Sequence, residues 1–313
     1  MPRPIERRPI LIAGPTAGGK SALALGLARR FGGAVINADS QQVFRDWRIL
    51  SARPTPDDEA QAPHFLYGHV GLDANYSAGV WLRDLTGALE ECRARALTPI
   101  ITGGTGLYFK ALTEGLAPIP PIPPEVRAKA EAELQRLGLV GFAAALAERD
   151  PETAATLDQA NPVRLLRAWE VLAATGAGLA EWHRATAPPL LPLDRVTAFT
   201  LTPPRDWLQA RCDARFDAML SLGVLDEVAR VMALGLDPSV PGRKALGAPE
   251  LMAHLAGELS LDEAATRAKA ATRRYAKRQL TWARNQMFHW QVLRGHNPAE
   301  NLRFATEKYA KTG

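Results

Sequence analysis

PILIAGPTAGGKS, residues 9–21, sets a short apolar run directly before a glycine-rich loop. The run reads as a buried parallel strand, because strands covered on both faces carry continuous apolar residues rather than an alternation. Gly14-Pro15-Thr16-Ala17-Gly18-Gly19-Lys20-Ser21 then matches G-x-x-x-x-G-K-[ST], and residues 21–31, rich in Ala and Leu and closed by Gly32-Gly33, read as a helix. Strand, loop and helix in that order make a phosphate-binding loop. Its glycines let successive backbone N–H groups converge on phosphate oxygens, and the helix N-terminus adds positive potential. Lys20 supplies a point charge and Ser21 a hydroxyl for Mg2+. A chance glycine-rich turn is the bland alternative, and it leaves the matched flanks unexplained. The loop alone does not name its phosphate compound: a nucleotide such as ATP is the default, and a diphosphate ester is chemically equivalent.

Working outward, AVINA at residues 34–38 reads as a second buried strand closing on Asp39, residues 81–97 carry a helical pattern, and PIIT at residues 99–102 is a third strand ending in Gly103-Gly104. This alternation predicts an α/β fold, a P-loop NTPase-like parallel sheet with helices on both faces. Residues 117–124 (APIPPIPP) and 187–192 (APPLLP) cannot form regular elements, because proline lacks an amide hydrogen and fixes φ. Between them residues 125–185 are helical in pattern, and RVTAFTL at residues 195–201 returns to strand. The expected organisation is a catalytic core of residues 1–116 and 193–313, interrupted by an inserted all-helical domain at residues 117–192. Residues 206–294 read as mostly helical.

The 313 residues suit one large core with an added lobe. A hydrophobic share of 47% and a charged share of 23% are ordinary for a folded domain. Two cysteines form neither a disulfide framework nor a metal-ligand set, which fits a reducing compartment. The basic start followed by a short apolar run is too brief for a signal peptide core, and no apolar stretch approaches membrane-spanning length. A cytoplasmic protein without a membrane association is expected, with a monomer as the default.

In an open α/β sheet, ligands sit beyond the carboxyl ends of the strands. Asp39, following the second strand, should therefore face the phosphate site, where a carboxylate can accept a proton. Its bland reading is a turn or N-cap residue. Ser40, Gln41 and Gln42 add hydroxyl and amide groups suited to a base edge. Gly103-Gly104-Thr105-Gly106 can bring backbone N–H groups and the Thr105 hydroxyl to a ligand, or be a plain tight turn. Arg215 lies on a helix with Phe216 and Met219; it is either a solvated surface arginine or a guanidinium that reaches a leaving phosphate.

Between Ala264 and Ala299 the sequence holds no Asp or Glu. At helical spacing Arg267, Arg274 and Arg278 share one side, Lys269, Arg273 and Lys277 form an adjacent row, and Tyr275 and Trp282 are interleaved. The net charge is only +5, from 38 basic and 33 acidic residues, so this local concentration matters more than the sum. Solvated faces usually mix both signs; a one-sign helix with aromatics points to nucleic acid.

Taken together, these motifs resemble the tRNA dimethylallyltransferase family of bacterial type. GPTAGGKS is similar to its phosphate loop and DSQQVF, residues 39–44, to its D-S-x-Q signature. GGTGLYFKAL (103–112), NPVRLLRAWEV (161–171) and RRYAKRQLTW (273–282) match further blocks, in the family's order. Phe44 stands where the family often has Tyr, Leu50-Ser51-Ala52-Arg53-Pro54 where Gly-Thr-Ala-Lys-Pro is usual, and residues 245–250 lack a common aromatic.

The resemblance implies transfer of a dimethylallyl group from dimethylallyl diphosphate to N6 of the adenosine just 3′ of the anticodon, with release of diphosphate. It further implies Asp39, Thr105 and Arg215 as catalytic residues, residues 14–21 as the diphosphate cradle, and Mg2+ on Ser21. The anticodon stem-loop of tRNA would be contacted by Asp39, Ser40, Gln41, Gln42 and Thr105, by Val163, Arg164, Leu165, Leu166 and Arg167 of the inserted domain, and by Arg274, Lys277 and Arg278. Competing readings are a small-molecule P-loop kinase with ATP as donor, a prenyltransferase acting on free adenine nucleotides, and a non-catalytic RNA-binding protein. An acid-free basic helix is superfluous in the first two, and Lys20, Ser21 and Asp39 are superfluous in the third.

Overall fold

A computed structural model describes residues 7–312; residues 1–6, the basic start of the chain, and residue 313 lie outside the described residues. In chain order the elements are β1 (Ile10–Ala13), α1 (Lys20–Phe31), β2 (Gly33–Asn37), α2 (Pro56–Gln61), β3 (His64–Phe65), α3 (Ala78–Ala94), β4 (Thr98–Gly103) and α4 (Gly106–Glu114). Then come α5 (Pro124–Arg149), α6 (Pro151–Thr156), α7 (Pro162–Thr175), α8 (Leu179–Arg184), β5 (Thr197–Leu201), α9 (Arg205–Ser221), α10 (Val224–Ala233), α11 (Ala248–Leu255), α12 (Leu261–Gln286), β6 (Gln291–Leu293) and α13 (Pro298–Ala310). Among the described residues there is no helix long and apolar enough to cross a membrane.

The chain divides into two compact units. One runs up to Thr113 and resumes at Leu191; the other spans Glu114–Leu190. The first holds a six-stranded sheet in the order β3-β2-β4-β1-β5-β6, and every strand pair among the described residues is parallel. Alternation along β1 sorts the two faces. Leu11 packs with Trp81 and Leu85 of α3 and Phe109 of α4, while Ile10 and Ile12 pack with Leu23 and Leu27 of α1 and Ala305 of α13. Helices therefore cover both faces, as the continuous apolar runs require. The order also puts β4 between β1 and β2, with Ala13 paired to Gly103 and Asn37 to Thr102. The carboxyl ends of three neighbouring strands thus open side by side, at the place where an open sheet takes its ligands.

β3 and β6 are edge strands of two and three residues, too short to carry a readable period. β6 lies within the stretch expected to be helical, and α13 follows it. In the second unit prolines at the first turns of α5, α6 and α7 start the helices where their missing N–H matters least. Phe142, Leu146, Leu165, Ala168 and Val171 form its core. α5 is broken at Gly138, whose φ is 66°.

A further cluster in the first unit joins residues 43–50 to α9, α10 and α11 through Val43, Trp47, Leu50, Phe216, Val228 and Leu251. The departures at Phe44 and Leu50 fill this core, at 8% and 6% exposure. The buried Glu227 of α10 holds the segment. Its Oε1 accepts from the amides of Arg48 (2.7 Å) and Ile49 (2.8 Å), and its Oε2 from Leu50 (2.8 Å). Glu227→Ala would leave these donors without a partner and is expected to lower stability by about 3 kcal/mol, with a smaller loss in Glu227→Gln. Urea unfolding midpoints of the two variants measure this; equal midpoints for wild type and Glu227→Ala would contradict it.

Candidate active site

The phosphate loop begins where β1 ends and closes on α1. Gly19 at the helix start has φ 92°, and Ala17 has φ 60° without being a glycine, so the loop's curl is enforced by its surroundings. Gly18 N–H donates to the Pro15 carbonyl at 3.1 Å, and Lys20 Nζ donates to the same oxygen at 2.8 Å. Burial lowers the Lys20 pKa to about 8, with Asp39 opposing that shift and Arg215 adding to it. Ser21 is exposed on the first turn of α1.

Asp39 follows β2 in a turn built by its neighbours. Its amide donates to Asn37 Oδ1 at 2.8 Å, its carbonyl accepts from Asn37 Nδ2 at 2.9 Å, and its Oδ1 accepts from the Gln41 amide at 3.0 Å. The turn role and the site role therefore coexist. One carboxylate oxygen fixes the loop, while Oδ2 lies 3.2 Å from the point that a Cβ on Gly104 would occupy. Thr105 joins the two loops: its Oγ1 accepts from the Ser40 amide at 2.8 Å and its own amide donates to the Ala38 carbonyl at 3.2 Å. Burial first, and the Asp39 charge second, raise the phenols of Tyr67 and Tyr108. The same two causes raise Tyr275, whose hydroxyl also feels Gln41 and Gln279. Burial thus keeps all three phenols neutral, and the Asp39 charge reinforces it.

α9 closes the loop from above. Arg215 donates to Thr16 Oγ1, and Arg211, one turn earlier, donates from Nε to the Ala17 carbonyl at 3.1 Å while lying over the Trp207 ring at 4.9 Å. α12 closes it from the side. Gln279 Oε1 accepts from the Thr16 amide at 2.7 Å, and its Nε2 donates to the Gly104 carbonyl at 3.0 Å. A Cβ on Gly104 would come within 2.0 Å of Gln279 Nε2 and would displace the glutamine amide from the Gly104 carbonyl.

The expected residues thus divide into four groups. The loop, Asp39, Ser40, Thr105 and Arg215 come together. Gln41 and Gln42 face partly elsewhere: Gln41 Oε1 accepts from the Leu246 amide at 2.9 Å, and Gln42 Nε2 donates to the carbonyls of Ser51 (2.9 Å) and Ala52 (2.7 Å). The residues of α7 belong to the second unit. There Val163, Arg164 and Arg167 are exposed, Leu166 is half-buried, and Leu165 is fully buried in the core. Leu165 is therefore corrected from a contact residue to a packing residue, because its position on α7 faces inward. Arg274, Lys277 and Arg278 are exposed, with Arg278 over the Tyr275 ring at 5.5 Å.

The acid-free run of α12 does not make an acid-free surface, and this corrects the reading of its second row. Arg273 pairs with Asp213 at 2.6 Å and Lys269 with Asp217 at 2.5 Å, both acids lying on α9. Gln279, Arg211 and Asn37 were not picked out from sequence. Arg211 sits four residues before Arg215 on the same helix face, and Asn37 is a polar residue inside an apolar strand, so both carried a signal. Gln279 carried none beyond its place in RRYAKRQLTW.

For a metal, the described residues hold no group of three or more His, Cys, Asp or Glu. Mg2+ bound to phosphates keeps most of its waters and takes few protein oxygens. The exposed Ser21 hydroxyl beside the loop fits that kind of site. Gln279→Ala should loosen the loop and weaken binding of inorganic diphosphate on the order of tenfold, the loss of one to two hydrogen bonds. Calorimetric titration checks this, and an unchanged affinity would contradict it.

Comparison with known proteins gives a consistent result. A family model described as IPP transferase matches residues 42–286, and one described as isopentenyl transferase matches residues 8–67. A tRNA dimethylallyltransferase of Cereibacter sphaeroides is 57% identical over 92% of this chain and 89% of its own length. One from Nitrobacter hamburgensis is 56% identical over 90% and 89%. The crystal structure of a tRNA isopentenylpyrophosphate transferase from Bacillus halodurans superposes with a TM-score of 0.69 at 29% identity, covering 98% of both chains. A eukaryotic dimethylallyltransferase shares the fold at a TM-score of 0.79 and 24% identity, over 97% of this chain and 78% of its own.

Proposed function

The chain belongs to the IPP transferase family, and from that membership we infer that it transfers a dimethylallyl group from dimethylallyl diphosphate to N6 of the adenosine just 3′ of the anticodon in tRNA, releasing diphosphate. It is a prenyltransferase of the cytoplasm, acting on the anticodon stem-loop. The observation that carries the reading at residue level is the convergence of a phosphate loop, a half-free carboxylate and a threonine hydroxyl at three adjacent strand ends.

An adenine amino group is a weak nucleophile, because its lone pair is delocalised into the ring. As the N6–carbon bond forms and the carbon–oxygen bond to diphosphate breaks, the N6 proton passes to Asp39 and the bonding electrons leave with the diphosphate. The departing charge falls on the loop amide of Gly19, on Lys20, and on the Thr105 and Arg215 side chains. Mg2+ on Ser21 and the phosphate oxygens would neutralise part of that charge. The allylic carbon tolerates cationic character, so stabilising the leaving group is the larger task. A phosphate loop thereby serves transfer of a carbon group.

The acceptor base must leave its stack, which costs a few kcal/mol and less in a single-stranded loop. Ser40, held by Thr105 beside Asp39, offers a hydroxyl to that base. Arg274, Lys277 and Arg278 supply exposed cations for the backbone, and Val163, Arg164, Leu166 and Arg167 offer a second contact on the inserted unit. Gln42 acts indirectly, by holding the segment through Ser51 and Ala52.

Labelled dimethylallyl diphosphate and Mg2+, supplied with unmodified tRNA or with AMP, test the reaction. Label in tRNA alone is expected. Label in AMP would make the protein a nucleotide prenyltransferase, and ATP consumption with no label would make it a kinase. Asp39→Ala should abolish transfer and spare tRNA binding; equal losses in both would remove Asp39 as the base. Replacing Arg274, Lys277 and Arg278 together by Ala should flatten the dependence of log affinity for tRNA on log salt by about 2. An unchanged slope would exclude these cations from the tRNA contact.

A further inference from the structure

Residues 15–18 form a tight turn within the phosphate loop, closed by the 3.1 Å bond from the Gly18 amide to the Pro15 carbonyl. Ala17, the third residue of that turn, has φ 60°. A turn with positive φ at this position usually carries glycine or asparagine, and an alanine would relax to negative φ if nothing opposed it. Its methyl group has a use. Ala17 is buried in an apolar cluster with Leu208 and Cys212 of α9 and Ala276 and Leu280 of α12. Packing accounts for the methyl group, but apolar contact is non-directional and does not choose which way the Ala17 carbonyl turns.

Arg211 makes that choice. Its Nε–H donates to the Ala17 carbonyl at 3.1 Å. The carbonyl of Ala17 and the amide of Gly18 share one rigid peptide plane, so the plane is held at both ends, by Arg211 and by Pro15. The next peptide carries the Gly19 amide, with Gly19 itself at φ 92° and α1 starting immediately after it. The direction of that amide is therefore set from a fixed plane. The donor is itself oriented: the Arg211 guanidinium lies over the Trp207 ring at 4.9 Å, and the His296 ring, from the loop after β6, meets Trp207 at 5.5 Å. Asp213 and Asp217 of the same helix pair with α12 instead.

We propose that Arg211 is a positioning residue of the phosphate loop, whose Nε–H ties the Ala17 carbonyl to α9 and thereby aims the Gly19 amide at the departing diphosphate. The proposal rests on the prenyl-transfer reading only for the identity of the leaving group. Arg215, one turn later, donates to the Thr16 side chain and is the residue to which the departing charge is assigned. The two arginines thus divide the work, Arg215 supplying charge and Arg211 shape.

Three substitutions separate a donor from a charge. Glutamine places its Nε2 the same number of bonds from Cα as the arginine Nε, so it keeps a donor there without the charge. Lysine keeps the charge and puts a methylene at that point. Methionine fills the point with a methyl group and has neither. Inorganic diphosphate binding by calorimetric titration, transfer from labelled dimethylallyl diphosphate to tRNA, tRNA affinity and urea midpoints are measured for wild type, Arg211→Gln, Arg211→Lys and Arg211→Met. Arg211→Met is expected to weaken diphosphate binding about five- to tenfold, the loss of one hydrogen bond, and to raise KM for dimethylallyl diphosphate by the same factor. Its tRNA affinity and urea midpoint should stay at the wild-type values. Arg211→Gln should bind diphosphate as wild type does, and Arg211→Lys should follow Arg211→Met. Rescue by lysine with failure of glutamine would overturn the proposal and make Arg211 a source of charge. Equal losses in all three variants, or wild-type binding in Arg211→Met, would overturn it as well. A wild type that binds diphosphate but transfers no label would overturn the proposed function, while the order of diphosphate affinities among the variants would still decide the role of Arg211.

Discussion

A single glutamine amide ties together two loops of the candidate site. Gln279 offers one acceptor and one donor, and the structure uses each on a different loop: the phosphate loop through Thr16, and the loop after β4 through Gly104. Those loops leave adjacent parallel strands, and nothing in the sheet ladder itself fixes how far apart their tips stand. The amide sets that gap. Gly104 and Gly106 make the clamp possible, because a Cβ on the first would displace the Gln279 amide and one on the second would run into the Trp282 ring. The helix that carries the exposed cations is thereby held against the loops where the chemistry is proposed, and Asp39, tied to the same platform through Ser40 and Thr105, inherits the same geometry.

Charge in this region is arranged by helix pairing rather than by sequence runs. α12 reads as a block of unopposed cations, yet its Lys269 and Arg273 are matched by Asp217 and Asp213 of α9. Those pairs are partly exposed, so each contributes modestly to stability and chiefly aligns the helices. α9 pairs Asp213 and Asp217 with α12 and turns Arg211 and Arg215 toward the phosphate loop. The outcome is a division of labour along both helices: paired cations brace the structure, and the remaining ones face outward or toward the loop.

The fold class was legible because its signals are local. An apolar run followed by a glycine-rich loop and a helix is a contiguous pattern, and β1, β2, β4 and β5 each carry a short stretch rich in apolar and β-branched residues. β3 and β6 were not legible, since a strand of two or three residues at a sheet edge owes its existence to its neighbour's unpaired groups, not to its own composition. The same distinction runs through the candidate site. The phosphate loop and Asp39 stand at strand ends and could be read from position. The pairing of Arg273 with Asp213, the inward turn of Leu165 and the reach of Gln279 to Thr16 join residues far apart in the chain or depend on which helix face is covered. A one-dimensional pattern holds no record of either. Asn37 lies between these cases: a polar residue in an apolar strand was visible, but its use in shaping the Asp39 turn was not.

The second unit interrupts the first between α4 and β5, yet the interruption barely disturbs the sheet. On the core side, the Leu191 amide donates to the Leu112 carbonyl at 3.1 Å, so the chain re-enters beside the point of departure. On the insert side, Gly115 packs so tightly against Ala187 that a Cβ would fall 2.3 Å from its carbonyl oxygen. Each unit therefore brings its own two ends together. Closing a long flexible loop before β5 can pair with β1 carries an entropic penalty that grows with loop length. Once the insert has folded, that loop is, in effect, only a few residues long. The insert thus acts on the order of assembly: a set of mostly local helical contacts, quick to form, shortens the search for the one strand pairing in the sheet that spans the greatest stretch of chain.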